Sequence, residues 1–448
     1  MMTTTTERVL SGWGRTAPSH ALVTGPLDLR QLSDLIAGAP AGGVLARGSG
    51  RSYGDAAQNA GGVVLNPVTA SWIEPDPEHA AVRVSASVTF TELLACLVPL
   101  GLLPPVLPGT RHLTVGGAVA ADVHGKNQHA DGSISAWIDT IELLDGDGAL
   151  RAVHPGTPAF RATVGGMGLT GVIVSVRLRL LQIRSARLRV TTRRLPGLDA
   201  LLAAQDQPGA RYAVSWVDLS ATGRSLGRGV LDTGNHLTYP DPVHEADGLH
   251  YRPGRPWPAP ALPFCPVTTW SARAFNQLWF RASPAGRTSV AGIPEYFHRL
   301  DAVQDWNRTL GPAGLRQYQF VVPFGAENLL AHVITELQRN RAAAFLGTLK
   351  RFGPASGNYL SFPLPGWSLA VDMPAGRPNL HRLLDNLDRQ VAEAGGRVYL
   401  CKDSRLSRDA FTGMYGRDLD SWRAARASLD PASRFRSDLG RRLGLVNV

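Results

Sequence analysis

The sequence predicts an α+β protein with two domains, and three observations support this fold class. The chain has 448 residues, which is enough for two domains of ordinary size. Its first 185 residues alternate short apolar runs with glycine-rich turns around one helical pattern. Between residues 315 and 400, strand and helix patterns follow in the order β-α-β-β-α-β, which is typical of an antiparallel sheet with two helices on one face.

In the N-terminal half, the runs GGVLARGSG and GGVVLNP predict buried strands that end in glycine turns. The run FTELLACLVPLGL places Phe90, Leu93, Leu94 and Leu97 on one face of a helix. IDTIELLDGDGALRAV predicts a hairpin with DGDG at its turn, and GVIVSVRLRLL predicts a further strand.

In the C-terminal half, six consecutive segments make up the β-α-β-β-α-β pattern. We predict strands at RQYQFVVPF, FLGTLKRF, LSFPLPGWSLAVDMP and RVYLCKDS, and helices at ENLLAHVITELQRNRAA and NLHRLLDNLDRQVAEAGG, the second with a glycine C-cap. Such a sheet leaves its other face open to a ligand. The last 45 residues have a helical pattern rich in Arg, Asp and Ser.

Composition excludes several classes of protein. The net charge of +10 comes almost entirely from arginine, with no run of five or six basic residues and no alternation of basic and aromatic residues. We therefore expect no nucleic-acid partner, and we expect the charge to attract an anionic substrate or an anionic membrane surface. Cys96, Cys265 and Cys401 are too few and too scattered for a disulfide framework or a zinc site, so we expect no metal.

The sequence has no uncharged apolar run near the ~18 residues that a membrane helix needs. The N-terminus MMTTTTERVLSGWGR has no apolar h-region of a signal peptide. We expect a cytoplasmic protein; peripheral membrane association, or a periplasmic location shared with a partner, is the alternative. The proline-rich stretch 238–268 has little periodicity, and we interpret it as a long loop or flap of the second domain.

Three glycine clusters lie at residues 47–55 (RGSGRSYGD), 108–129 (PGTRHLTVGGAVAADVHGKNQH) and 163–173 (TVGGMGLTGVI). Clustered glycine lets a backbone approach a ligand closely and direct N–H groups at it. None of the clusters is a P-loop, because none ends in G-K-[ST]. The third contains G-x-G-x-x-G but precedes a strand pattern, where a dinucleotide fingerprint should open a helix. Together the clusters favour a phosphate-bearing cofactor over simple tight turns.

The motifs RGSGRSYGD, PGTRHLTVGGAVAADVHGKN, ATVGGMGLTGVI and YLCKDSR, in this order, resemble the vanillyl-alcohol-oxidase (PCMH) type of FAD enzymes. Within that superfamily the chain is most similar to the decaprenylphosphoryl-β-D-ribose 2-oxidases, the flavin subunits of an epimerase that makes the arabinose donor of the mycobacterial cell wall. The resemblance runs from GWGRTAPS to DLGRRL. It implies an FAD-binding domain over 1–187, an antiparallel-sheet substrate domain over 188–396, and a segment, 397–448, that returns to the FAD domain.

The resemblance also implies which residues bind FAD. The first glycine turn would surround the pyrophosphate with backbone N–H groups, and the second segment would line the flavin and the ribityl chain. The implied residues are Ala46, Arg47, Gly48, Ser49, Gly50, Arg51, Ser52, Tyr53, Gly54, Asp55 and Ala56 in the first turn, Gly109, Thr114, Val115, Gly116, Gly117, Ala121, Asp122, Val123 and His124 in the second segment, Ile173 against the adenosine, and Tyr399 and Lys402 against the flavin. Arg51 stands where many relatives carry a histidine bonded to the flavin, so we expect the FAD to be non-covalent.

By the same resemblance, the chain would oxidise the 2-hydroxyl of a polyprenylphosphoryl-ribose to a 2-keto sugar by hydride transfer to flavin N5. Lys402 would hold negative charge near N1 and the C2 carbonyl of the reduced flavin, because a preorganised cation stabilises an anion that forms during reaction. His124 would lie against the isoalloxazine and assist deprotonation, and a purely structural histidine is the alternative. Tyr53 would face the substrate.

The resemblance further implies a set of substrate-binding residues. These are Lys126 near the sugar phosphate, Trp216 in the pocket wall, and Phe297, Gln317, Gln319, Lys350, Phe352 and Ser368 around the sugar. Gln317 and Gln319 flank Tyr318, and Lys350 and Phe352 are also two residues apart, so each pair shares a strand face. On pattern alone these are ordinary amphipathic strands.

Three pocket positions depart from the family. Ser368 replaces an asparagine, Ala370 replaces a cysteine of the mycobacterial enzymes, and Phe297 replaces a tyrosine. The lost amide and phenol change the hydrogen bonds that a sugar can make. Three hypotheses follow: a polyprenylphosphoryl-ribose oxidase that works with an NAD-dependent short-chain reductase; a related FAD-dependent sugar, alditol or aldonolactone oxidase; and a flavin-binding scaffold for the reductase without catalysis.

Overall fold

The first of two N-terminal sheets carries the first glycine motif. A computed structural model describes residues 5–66, 71–206, 209–238 and 248–446. The sheet is formed by β1 (Thr5–Leu10), β2 (Ser19–Pro26), β3 (Val44–Ala46) and β4 (Val63–Asn66), with helix α1 (Leu29–Ala37) between β2 and β3. Its order is β1-β2-β4-β3, and β4 pairs in parallel with both β2 and β3. Residues 47–55 form the loop between β3 and β4.

The second sheet is antiparallel and supports the other two glycine clusters. It contains β5 (Ile73–Asp76), β6 (Ala81–Ser85), β8 (Ile138–Leu144), β9 (Leu150–Val153) and β10 (Val172–Arg179), in the order β5-β6-β10-β8-β9. Between these strands lie α2 (Phe90–Leu97), β7 (Leu102–Leu103), α3 (Val115–Ala120), α4 (Gln128–Asp131) and α5 (Pro158–Thr163), and β11 (Leu181–Gln182) pairs with β7. The predicted helix, hairpin and strand are confirmed, and the G-x-G-x-x-G segment leads into β10 as expected.

An antiparallel sheet of eight strands occupies the middle of the described chain. The elements of this region, in chain order, are β12 (Arg187–Leu195), α6 (Leu198–Asp206), β13 (Tyr212–Val217), β14 (Gly229–His236), β15 (Trp257–Pro258), α7 (Thr269–Ala282), β16 (Gly286–Gly292), α8 (Ile293–Phe297), β17 (Val303–Gln304), β18 (Leu315–Pro323), α9 (Asn328–Arg339), β19 (Leu346–Phe352), β20 (Gly366–Pro374), α10 (Leu380–Glu393) and β21 (Arg397–Val398). The strand order is β16-β12-β14-β13-β19-β20-β18-β21, while β15 and β17 pair with each other outside it.

The predicted β-α-β-β-α-β unit is confirmed as β18-α9-β19-β20-α10-β21, with neighbouring strands antiparallel. Two predicted strands are shorter than expected. RVYLCKDS is a strand only over Arg397–Val398, because Lys402 N–H bonds to Tyr399 O at 3.0 Å and turns the chain. LSFPLPGWSLAVDMP becomes a strand only at Gly366. Gly395, in the left-handed region at φ 72°, follows α10 as the predicted glycine cap.

Strand register places the predicted pocket residues on one face of the large sheet. Lys350 pairs with Ser368, and Gln319 pairs with Ala370, so these four side chains point to the same side. Trp216 pairs with Thr348, two residues from Lys350, and therefore lies on that face as well. The apolar faces of α9 and α10 are buried among the core residues, so the helices of the unit cover one face and leave the other to the site.

The C-terminal segment returns to the first glycine loop. It contains α11 (Arg408–Leu429), which packs on α5, and α12 (Asp438–Leu443). From α12, Arg442 donates to both carboxylate oxygens of Asp55 at 2.9 and 2.8 Å, and to Asp403 at 2.9 Å. Despite burial, Arg442 and Arg405 hold the pKa of Asp403 below its usual value. We call the ion pairs of Arg442, Asp55 and Asp403 the C-terminal clamp.

The domain limits 1–187, 188–396 and 397–448 stay a prediction. Residues 239–247 of the predicted proline-rich loop lie outside the described residues, and in the remainder β15 pairs with β17. Within the described ranges, no helix combines the length and the apolar composition needed to cross a membrane.

Removal of the clamp should destabilise the protein strongly. Arg442→Ala leaves Asp55 buried without its cation and removes one of the two arginines that act on Asp403, so we expect the free energy of unfolding to fall by about 3–5 kcal/mol. Urea denaturation followed by circular dichroism measures this change. Arg423→Ala is the control, because Arg423 pairs with the fully exposed Asp420 and should cost about 0–1 kcal/mol. Equal effects of the two substitutions would contradict the clamp.

Candidate active site

The first glycine loop is held closely by other parts of the protein. A Cβ on Gly48 would lie 2.3 Å from Thr114 Oγ1, and a Cβ on Gly54 would lie 1.6 Å from the carbonyl oxygen of Asp403. Gly50 lies in the left-handed region at φ 63°. Contacts within the protein therefore already require glycine at some positions of this loop, independently of any ligand.

Charged side chains of the loop are also engaged by the protein. The Arg47 guanidinium donates to Ala57 O at 2.7 Å and to Ser11 O at 2.8 Å. The Arg51 guanidinium lies 4.4 Å from the ring centroid of Trp13. Together with Asp55 in the clamp, these side chains fix the shape of the loop. Phosphate binding by the backbone N–H groups of residues 46–56 stays a prediction.

The second segment leads from Gly109 past α3 to His124. A Cβ on Gly109 would meet no atom within 4 Å, so protein packing does not require glycine there. Thr114 caps α3 by accepting a bond from Gly117 N–H, while the N–H groups of Val115 and Gly116 donate to Val88 O and Ala86 O.

Beyond α3, the chain turns through Ala121 and Asp122. Asp122 has φ 41°, and its carboxylate accepts bonds from Ser135 N–H and the hydroxyl of Ser361. Tyr399 donates its hydroxyl to Ala121 O at 2.8 Å, which ties the segment to the end of β21. Val123 and Ile173 are buried nearby in the same apolar core. The predicted contacts of Val123 and Ile173 with FAD stay a prediction.

His124 lies at the centre of a buried cluster. Its Nε2 is 2.9 Å from Gln319 Nε2, which also donates to Ser368 Oγ at 3.2 Å. The ring centroids of Phe352 and Tyr399 are 4.7 and 5.6 Å away. Burial lowers the pKa of His124 well below its usual value, and the charges of Lys350 and Lys402 lower it further. The imidazole is therefore neutral at physiological pH and, with Gln319 donating to Nε2, carries its proton on Nδ1.

Lys402 and Tyr53 form a second cluster beside the first. Lys402 Nζ lies 4.0 Å from the ring centroid of Tyr53, and Tyr53 N–H donates to Cys401 O at 2.9 Å. Gln317 Nε2 contacts the Tyr53 hydroxyl at 3.5 Å and donates to both oxygens of Asp372 at 3.0 and 2.9 Å. Burial lowers the pKa of Lys402 and raises that of Asp372 to about 7.

Asp372 is a site residue that the sequence reasoning missed. It pairs with Gln317 across β18 and β20, on the face that carries Ser368 and Ala370. Continuing the two-residue period of that strand from Ser368 to Ala370 would have found it.

All three lysines of the chain belong to this site. The sequence contains lysine only at positions 126, 350 and 402. Burial is the main cause that lowers the pKa of Lys126 to about 7 and that of Lys350 to about 8, and the charge of Lys402 contributes to the second shift. Among the described residues, none of the three forms a salt bridge with a carboxylate. Lys126 Nζ instead donates to Tyr296 O and lies 4.0 Å from the Tyr296 ring.

Two predicted pocket residues lie away from the His124 cluster. Phe297 packs edge-on against Tyr212 and Tyr296, with ring centroids 4.8 and 5.0 Å apart, and its centroid is 5.8 Å from Lys126 Nζ. Trp216 lines a separate pocket with Asp232 and Arg299, at the end of α7. The site residues therefore extend along the sheet face from Lys402 to Trp216.

The residues present fit an anionic, phosphate-bearing ligand such as FAD. Three half-buried lysines that form no salt bridge among the described residues favour the binding of negative charge. His124 Nδ1 is buried without a hydrogen-bond partner among the described residues, and the exposed Gly109 leaves room for a ligand beside its backbone. These features fit a ligand at the junction of the glycine segments and the large sheet.

The raised pKa of Asp372 predicts a pH-dependent stability. Between the usual Asp value and about 7, the folded protein binds the Asp372 proton more tightly than the unfolded chain does. Stability contributed by this group is therefore lost as pH rises toward 7. Asp372→Asn should remove the loss and make the holoprotein more stable than wild type at pH 8 by about 2–4 kcal/mol, with a smaller difference at pH 5. Thermal unfolding at both pH values measures this, and Asp420→Asn at an exposed position should change neither; a pH-independent difference for Asp372→Asn would refute the assignment.

Several known proteins are similar to this chain over part or nearly all of its length. The family described as "FAD binding domain" matches residues 21–154. The decaprenylphosphoryl-β-D-ribose oxidase of Mycolicibacterium smegmatis is 37% identical over 99% of this chain and 98% of its own length. An uncharacterised protein from the mprA 5′ region of Streptomyces coelicolor is 39% identical over 80% of this chain and 100% of its own length, and an alditol oxidase of a Streptomyces species is 30% identical over 35% of this chain and 37% of its own. The chain belongs to the decaprenylphosphoryl-β-D-ribose oxidase family, and it is an FAD-dependent oxidoreductase with the α+β fold of the vanillyl-alcohol-oxidase (PCMH) type.

Proposed function

We propose that this protein oxidises the 2-hydroxyl of a polyprenylphosphoryl-ribose to a 2-keto sugar. The oxidation would be the first half of a 2-epimerisation that gives an arabinose donor for cell-wall polysaccharide. An NAD-dependent short-chain reductase would complete it by reducing the ketone with inverted stereochemistry. The near full-length similarity to an oxidase of a lipid-linked ribose supports this substrate class.

The carrying observation is that the three lysines gather, half-buried, at one face of the large sheet. A phosphate-linked sugar and a flavin each bring negative charge, and such a ligand stabilises an ammonium group that has no salt bridge. We assign the sugar phosphate to Lys126 and the flavin to Lys402. Lys350 interacts electrostatically with both, because its charge lowers the pKa of Lys126 and the charge of Lys402 lowers the pKa of Lys350.

FAD, when bound, supplies the acceptor for the two electrons of the alcohol. Residues 46–56, the segment from Gly109 to His124, Ile173 and Tyr399 would hold it non-covalently, because Arg51 cannot form the bond that a histidine forms. Lys402 keeps a cation beside Tyr53, where it would oppose negative charge on the cofactor.

The structure supports a narrower role for His124 than the deprotonation that the sequence suggests. The low pKa of His124 keeps its ring neutral, which allows a hydrogen bond to a hydroxyl but disfavours a lasting positive charge. Gln319, which also donates to Ser368, holds the ring at Nε2, so we assign His124 to orienting the sugar hydroxyl.

A second function is favoured by the three departures in the pocket. Phe297, Ser368 and Ala370 remove polar groups that the family uses around the sugar, and part of the chain is also similar to an alditol oxidase. The alternative is an FAD-dependent sugar, alditol or aldonolactone oxidase with a different substrate. Binding of flavin without catalysis would give the three half-buried lysines a purely structural role, which the cost of desolvating their charges opposes.

The substrate is tested by anaerobic bleaching of the flavin. We expect farnesylphosphoryl-ribose to bleach the ~450 nm band of the oxidised flavin, and we expect free ribose and alditols to leave it unchanged. Bleaching by free sugars or alditols alone would establish the second function. No bleaching by any of these substrates would favour the scaffold. The double variant Phe297→Tyr with Ser368→Asn, which restores family side chains, is the matched comparison for substrate preference.

Lys402 should control the rate of flavin reduction. Lys402→Met removes the buried cation, and we expect the reduction rate with farnesylphosphoryl-ribose to fall about 10²–10³-fold. Lys402→Arg keeps the charge and should recover part of the rate. Stopped-flow absorbance measures both, on protein shown by its spectrum to retain flavin. A flavin-loaded Lys402→Met protein that reacts at the wild-type rate would exclude this role.

A further inference from the structure

An exposed apolar surface lies on α7 and the segment before it. Trp257 and Trp270 are 79% and 80% exposed, Leu278 is 68% exposed, and Phe264 and Phe275 are exposed by more than half. Only Ala272 and Asn276 of α7 are buried, so most of the helix circumference faces outward. We call Trp257, Phe264, Trp270, Phe275, Leu278 and Trp279 the α7 surface. A patch of this kind on a soluble domain marks an interaction site.

The stretch of chain that carries the α7 surface has charge of one sign, although Asp301 and Asp305 flank β17, which pairs with Trp257. Residues 248–294 contain no Asp or Glu, while Arg252, Arg255, Arg273, Arg281 and Arg287 are all exposed. None of these arginines forms a salt bridge with a carboxylate of the described residues. A protein partner would usually be matched by mixed charges, whereas aromatic residues with surrounding cations match an anionic lipid headgroup layer.

The α7 surface is continuous with the site. Trp279, Ala282 and Ser283 from the end of α7 line a pocket of about 290 Å³ whose floor includes Trp216 and Asp232 of the large sheet. Trp216 lies on the face that carries Lys350, and Asp232 affects the pKa of Lys126. The pocket therefore connects the exposed helix with the end of the site at which we assign the sugar phosphate.

We propose that the α7 surface docks on an anionic lipid bilayer and that the pocket at the end of α7 admits the sugar phosphate of a lipid-linked substrate. The docking is inferred only from the exposed apolar side chains of the α7 surface and from the arginines near it. The access route rests on the proposed function, because it needs a substrate whose lipid remains in the membrane. Trp270 and Leu278 insert among the headgroups, and the arginines bind lipid phosphates.

Vesicle flotation tests the docking. The holoprotein is mixed with vesicles of phosphatidylglycerol and phosphatidylcholine, or of phosphatidylcholine alone. We expect it to float with the anionic vesicles and to be released by high salt. Trp270→Ser with Leu278→Ser should reduce the bound fraction at least about ten-fold, because both side chains are exposed and supply the inserted apolar area. Arg273→Gln with Arg281→Gln should reduce it similarly.

The matched control is Val9→Ser with Leu150→Ser, which removes exposed apolar side chains from other surfaces and should leave flotation unchanged. Failure of the wild-type protein to float with anionic vesicles would overturn the docking. Equal flotation of the Trp270→Ser, Leu278→Ser variant would overturn it too. Binding that is instead saturated by a purified reductase partner, without any vesicle binding, would assign the surface to that protein.

A second measurement separates the docking from the proposed function. Flavin reduction is followed with farnesylphosphoryl-ribose in detergent and with a long-chain polyprenylphosphoryl-ribose in anionic vesicles. We expect the Trp270→Ser, Leu278→Ser variant to keep the wild-type rate in detergent and to lose most of the rate with vesicles. Equal loss in both would overturn the access route. Flotation without flavin reduction by either substrate would sink the proposed function and leave the docking standing.

Discussion

Three half-buried ammonium groups, none in a salt bridge among the described residues, are the constraint on which the site depends. Partial desolvation of an ammonium costs free energy, and it lowers the pKa values of Lys126, Lys350 and Lys402. An anionic ligand offsets that cost, so ligand binding and folding should be coupled by mass action. The lysines come from the glycine-rich half, from the middle of the large sheet and from the turn after β21. Ligands that contact these lysines therefore hold the three parts together.

The C-terminal clamp positions the turn after β21, which carries Lys402. Arg442 in α12 contacts Asp55 of the first glycine loop and Asp403 next to Lys402, positions that are far apart in the chain. Because Gly54 leaves no room for a Cβ against Asp403, the loop and the turn after β21 fit as a unit. The position of Lys402 is thus set by packing and ion pairs outside the ligand site.

Much of the architecture could be predicted from the sequence, because apolar periodicity and capping depend on neighbouring residues. The two-residue rule placed Gln317 with Gln319 and Lys350 with Phe352, and applied to β20 it would have identified Asp372. Contacts between distant segments could not be predicted in this way. Gly48 and Gly54 suggested a bound ligand, yet the structure shows that Thr114 and Asp403 already require both glycines. Only the assembled fold brings such positions within reach of each other.

The location of every lysine in one site has a consequence for the chemistry of the protein's exterior. No lysine is fully exposed, so positive charge on that exterior is carried mainly by guanidinium groups. Acylating reagents, and enzymes that acetylate lysine, therefore find only half-buried side-chain amines on the folded molecule. An acyl group on any lysine would neutralise a cation of the candidate site, so for this chain we expect acetylation to act as an inhibitor rather than as a surface label.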